Sequence, residues 1–117
     1  MGHGGGATNY VTHYRYGLSL TDGQPLAIGT DVNGFFALPG PPKVGETISL
    51  SFPKTITGLR VWDFNLDGMA HYGLFPAFIE SMKRVGMTTE EQAAFFSSAE
   101  RFAQMWEKCD SSKTNVH

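Results

Sequence analysis

Twelve consecutive residues, Asp63-Phe64-Asn65-Leu66-Asp67-Gly68-Met69-Ala70-His71-Tyr72-Gly73-Leu74, hold two carboxylates, an amide, an imidazole, a phenol and two glycines. Carboxylates and imidazoles ligate metal ions and move protons. Glycines beside them mark either a demanding turn or backbone shaped around a site. Asp63, Asn65 and Asp67 alternate and Gly68 follows, as at the start of an EF-hand loop. That loop needs glutamate at its twelfth position, where this chain has Leu74, so the calcium motif is excluded.

The second chemical candidate is Asp31. It follows the apolar run Leu26-Ala27-Ile28 and Gly29-Thr30. Reacting groups of parallel α/β folds sit just past the carboxyl ends of strands, where a carboxylate can bind a metal or take a proton from metal-bound water. The alternative is an Asx turn in which Asp31 bonds backbone N–H groups ahead of Asn33-Gly34. His71 divides in the same way, between a metal ligand and a hydrogen-bonded packing residue. His3, His13 and His117 lack ligand spacing, and no Gly-x-Ser-x-Gly, His-Glu-x-x-His or paired-cysteine motif occurs.

These residues depend on the elements around them. Met1-Gly2-His3-Gly4-Gly5-Gly6 opens a flexible Gly-rich leader over 1–8, and 110–117 reads as a polar, fraying tail; a single domain over 9–109 lies between. Residues 9–20 fit both periods: Tyr10, Tyr14, Gly17 and Leu18 at helical spacing, Tyr14, Tyr16, Leu18 and Leu20 at strand alternation. Asp22-Gly23 marks a turn, and the 26–28 run reads as a short buried strand. Pro39-Gly40-Pro41-Pro42 is a rigid loop. Residues 47–52 alternate as a half-exposed strand that Pro53 stops, and 59–64 is its expected partner across a loop containing Gly58.

The last third reads as two helices. Phe75, Phe78, Ile79, Met82 and Val85 form an amphipathic stripe, with Pro76 in the first turn and Gly86 at the end. A capping box follows, either Thr88 with Glu91 or Thr89 with Gln92. Phe95, Ala99, Phe102 and Trp106 then recur at helical spacing and are expected in the core. The fold class is therefore α+β, a small domain with a few strands and two C-terminal helices.

Composition narrows the function classes. Of the 117 residues 41% are hydrophobic and 13% aromatic, which suits a packed core. The net charge is -2, without a basic block, so the electrostatic footprint of a nucleic-acid binder is missing. The apolar runs are too short to cross a bilayer, and no secretory pattern is recognised. Cys109 is the single cysteine, which rules out an internal disulfide or cysteine-based zinc cluster and suits a reducing, cytoplasmic setting.

Taken together, Gly29-Thr30-Asp31-Val32-Asn33-Gly34, Pro39-Gly40-Pro41-Pro42, the 63–74 block and Met105-Trp106 resemble the C-terminal quarter of bacterial metal-dependent hydrolases, the membrane-dipeptidase-like branch of the amidohydrolase superfamily. The resemblance spans residues 12–109. It implies a (β/α)8 barrel with a zinc centre that hydrolyses peptide or amide bonds. It aligns Asp31 with the aspartate that meets the nucleophilic water, and gives Asn33, Gly34, Asp63, Asn65, Asp67 and Gly68 the standing of structural motif residues. The family's His-x-Asp, its bridging glutamate and its two later histidines have no counterpart in this sequence. A barrel takes about 200 residues or more, and a zinc centre takes three or four protein ligands.

Three readings follow. The one adopted is a non-catalytic domain that covers its once barrel-facing surface with another copy, a homo-oligomer, with a dimer expected. It carries no metal or cofactor by itself. The second is a zinc hydrolase whose site is completed by another chain or copy, a barrel fragment finished by oligomerisation. The third is a small-molecule binding module using Tyr14, Tyr16, Trp62, His71 and Tyr72, with Tyr10 beside them.

Overall fold

The computed structural model describes residues 6–29, 38–42 and 52–113, and the first described element is a helix. α1 (Ala7–Leu20) buries Ala7, Val11 and Tyr14, one stripe at helical spacing. The competing alternation of Tyr14, Tyr16, Leu18 and Leu20 leaves Tyr16 and Leu20 exposed. Asp22 (φ 51°) and Gly23 (φ 75°) end the helix in left-handed backbone, and the Gly23 N–H donates to the Leu18 carbonyl at 2.8 Å. Ala7 and Thr8 thus belong to α1, while residues 1–5 of the expected leader lie outside the described residues.

The chain divides into two compact units, one of residues 1–14 and 30–87, the other of residues 15–29 and 88–117. The first unit holds the sheet. β1 (Thr55–Thr57) and β2 (Arg60–Trp62) pair antiparallel in the register Thr55↔Trp62, Ile56↔Val61, Thr57↔Arg60. Gly58, at φ 60°, takes the first of the two turn positions, where a tight hairpin turn favours glycine. The expected partner of β2 was the 47–52 segment. The hairpin pairs it with its near neighbour Thr55–Thr57, across a two-residue turn that needs no long loop closure. Residues 47–51 lie outside the described residues, and Phe52 is buried outside any strand.

β2 ends at Trp62 because Asp63 turns the chain into α2 (Phe64–Asp67), which a 3₁₀ turn (Tyr72–Leu74) and α3 (Phe75–Arg84) follow. Phe64, Leu74, Phe78 and Met82 are each at most 2% exposed, and burying such side chains contributes about 1.5–3 kcal/mol apiece. Edge-on ring pairs lock this core: Phe52 on Phe64 at 4.9 Å and Tyr10 on Phe78 at 5.2 Å. Pro76 sits in the first turn of α3, and Gly86 at φ 103° ends it with Met87 N–H donating to the Met82 carbonyl.

In the second unit, α4 (Thr89–Phe96) starts on a complete capping box, and it is the Thr88–Glu91 register. Glu91 also receives the Arg15 guanidinium at 2.6 and 3.1 Å. That hydrogen bond holds the Glu91 carboxyl below the ordinary carboxylate range, against a smaller opposing effect of burial.

Three expectations fail in this unit. The single helix expected from Thr88 onward is interrupted at Ser97, whose hydroxyl donates back to the Ala94 carbonyl, and α5 (Ser98–Lys113) begins there. Phe95 is buried as expected, but Ala99, Phe102 and Trp106 are exposed, the last two by 49% and 66%. The 26–28 run is no strand either. Leu26 packs its Cδ1 against Gly17, where a Cβ would come within 2.5 Å, so the run is used as a side-chain contact on α1.

The architecture is α+β: among the described residues, a two-stranded antiparallel sheet with a majority of helix. No described helix is long and apolar enough to cross a membrane.

Candidate functional site

The 63–74 block is organised by its own backbone. Asp63 is the N-cap of α2, its Oδ1 accepting from the Asn65 N–H at 3.0 Å and from the Asn65 side-chain amide at 2.8 Å. In return Asp67 Oδ2 accepts the Asp63 N–H at 2.8 Å, so both carboxylates satisfy the first turn of a short helix. Asn65 reaches on to the Phe52 carbonyl at 3.4 Å.

Gly68 closes the turn at φ 61°, ψ −151°, a backbone region that is nearly glycine-only. It lies directly against the Pro39-Gly40-Pro41 loop: a Cβ there would stand 2.5 Å from the Gly40 carbonyl carbon and 2.6 Å from the Pro39 oxygen. The neighbouring Met69 N–H donates to the Pro39 oxygen at 3.0 Å. Two stretches singled out separately in the sequence are thus one packed junction.

His71 performs the next cap. Its Nδ1 accepts the Gly73 N–H at 2.9 Å and starts the 3₁₀ turn that leads into α3. In the neutral ring this puts the proton on Nε2, which lies 3.4 Å from Thr57 Oγ1. The His71 ring meets the Trp62 indole edge-on at 4.6 Å, and the Arg60 guanidinium lies 3.5 Å over that indole. Thr57, Arg60, Trp62 and His71 therefore form one cationic, aromatic cluster on a single face of the hairpin.

Of the expected ligand-binding residues, the fold brings Trp62 and His71 into contact. Tyr72 follows them in sequence and is 62% exposed, Tyr16 is exposed, and Tyr14 is buried at 6% in the core. Asp31, Asn33 and Gly34 lie outside the described residues. Sequence reasoning missed Arg60 and Thr57. The i, i+2 spacing of Arg60 and Trp62 on a strand, with Thr57 directly across the turn, was the available signal.

Asp63 and Asp67 stand with no third ligand-type residue: among the described residues no group of three or more His, Cys, Asp or Glu is placed to hold a metal ion. The arrangement orders backbone and presents a flat, cation-topped ring surface. Comparison with protein-family models, with curated proteins and with solved structures finds no match.

The opposite face of the hairpin is apolar and open. Ile56 and Val61 pair across the strands and are 73% and 56% exposed, with Leu59 fully exposed at the turn. A two-stranded hairpin is marginal in water by itself.

Proposed function

We propose that this chain is a non-catalytic module that associates with a second copy of itself, resembling in sequence the C-terminal part of a dipeptidase-like zinc hydrolase. The observation that carries this reading is the open apolar face of Ile56, Leu59 and Val61 on a two-stranded sheet. Such a face gains by burial against a like face, at about 25 cal/mol per Å² of apolar surface removed from water, and a two-fold pairing lets the same patch serve both copies. The spent carboxylates support the non-catalytic half of the reading: Asp63 and Asp67 each hold backbone N–H groups, and reaction chemistry at either would first unmake a helix cap.

Light scattering and sedimentation at micromolar concentration test the association. A dimer is expected, converted to monomer by Ile56→Lys with Val61→Lys while the helical circular dichroism is kept. A wild-type monomer across the concentration range refutes association. Hydrolysis of dipeptides with added zinc that is abolished by Asp31→Asn refutes the non-catalytic assignment.

A further inference from the structure

The second unit contains a groove of about 620 Å³, formed by the 21–27 segment and one face of α5. Its size falls within the roughly 300–1,000 Å³ of small-ligand pockets. Pro25, Leu26, Phe102 and Met105 make its floor. A second, smaller depression shares Ala27 and Phe102 with it and extends the apolar surface to Ile28.

The charges on α5 are sorted. Arg101 and Lys108, seven residues apart, line the groove, which puts their Cα atoms about 10 Å apart along the axis. No described Asp or Glu lines it; Glu100 and Glu107 are outside the lining, and Glu100 accepts from the Gln104 amide at 3.0 Å. Neither Arg101 nor Lys108 forms an ion pair with a described residue, and Arg101 reaches only the neutral Gln104 oxygen at 3.4 Å.

We propose that this groove binds a linear aliphatic carboxylate. The chain lies along Pro25, Leu26, Phe102 and Met105, and the head is taken by Arg101 or Lys108. The apolar floor removes methylene groups from water, and a guanidinium or ammonium at either end supplies a charge-assisted hydrogen bond to the carboxylate. A second copy of α5 is a poorer occupant. Paired antiparallel about a two-fold axis centred on the groove, it would set Arg101 of one copy against Lys108 of the other, like charge against like.

Cys109, exposed at the end of the groove, is a built-in reporter. The rate at which a maleimide modifies it is measured in the full chain with dodecanoate, with dodecanol and with neither, below the concentration at which each probe aggregates. Dodecanoate is expected to slow modification in a saturable way, at a half-effect concentration about tenfold lower than that of dodecanol. The Arg101→Gln, Lys108→Gln double variant is expected to erase this preference. Both side chains are on the surface, so the fold is kept, as circular dichroism checks.

Equal protection by acid and alcohol overturns the proposal, as does a preference that survives the double variant. Protection seen only once the probe aggregates also overturns it. So does protection that rises with protein concentration without any probe, which assigns the groove to contact between copies.

Discussion

Replacing Gly68 by alanine tests the junction on which the first unit is built. Two separate penalties apply at that position. The backbone stands at φ 61°, ψ −151°, where a residue with a Cβ is strained by about 1–3 kcal/mol. The new methyl also meets the backbone of Pro39, Gly40 and Pro41 at 2.5–2.7 Å, and backbone cannot rotate away as a side chain would. Overpacking of this kind costs about 1–3 kcal/mol, and retreat of the loop breaks the Met69 N–H to Pro39 bond, about 1 kcal/mol. The total, roughly 3–7 kcal/mol, is a large part of the 5–15 kcal/mol typical of a domain.

Gly58→Ala is the internal control for Gly68→Ala. Gly58 has almost the same φ, 60°, but a methyl group added there would meet nothing within 4 Å, so only the backbone penalty of about 1 kcal/mol remains. Denaturant unfolding of both variants, with hydrogen exchange at the Met69 amide, reads the difference. Gly68→Ala is expected to lose several times more stability and to exchange Met69 far faster. Equal losses in the two variants refute the docking of the 38–42 loop on Gly68.

Two further perturbations probe the caps. Glu91→Ala removes the capping box, about 1 kcal/mol, and the Arg15 pair, about 0.5 kcal/mol once screening at the half-exposed Arg15 is allowed for; a double-mutant cycle with Arg15→Ala is expected to show coupling of that smaller size, and zero coupling would contradict the bidentate geometry. The Glu91 carboxyl is held below its ordinary range, so its stabilisation is present above the unfolded-state pKa and is lost as pH falls through the folded one; the stability gap between wild type and Glu91→Gln is expected to be full at neutral pH and to narrow as the pH is lowered through the acid range. His71→Ala leaves the Gly73 N–H without its acceptor, a loss of roughly 1 kcal/mol, whereas His71→Asn keeps an acceptor there; thermal unfolding is expected to rank wild type and Asn above Ala, and equal melting of the two variants would show that the cap contributes nothing.

Interactions completed within a few residues were legible in the sequence. A capping box at 88–92, Pro76 at the start and Gly86 at the end of α3 each act over a few residues, so their types announce them, although which of the two box registers forms was left to the structure. The strand within 59–64 was located, but its hairpin neighbour 55–57 was not, because alternation says which side chains share a face and leaves the neighbour open. The site was legible in pieces: Trp62 and His71 were both named, yet the intervening chain hid that one ring rests on the other and that Arg60 covers the first.

What the sequence determined by itself is the local grammar of this protein: a capping box, the turn at Asp22-Gly23, the ends of α3 and the α+β content. What only the tertiary structure decided is which faces find a cover. Periodicity drew the same apolar stripe through Phe95, Ala99, Phe102 and Trp106, yet Phe95 is buried while Phe102 and Trp106 face solvent. The hydrophobic pattern of a helix depends on spacing alone, but burial depends on a second surface arriving from elsewhere in the chain or from another molecule. The same distinction separates the closed junction at Gly68, where the Pro39-Gly40-Pro41 loop supplies that surface, from the open groove along α5.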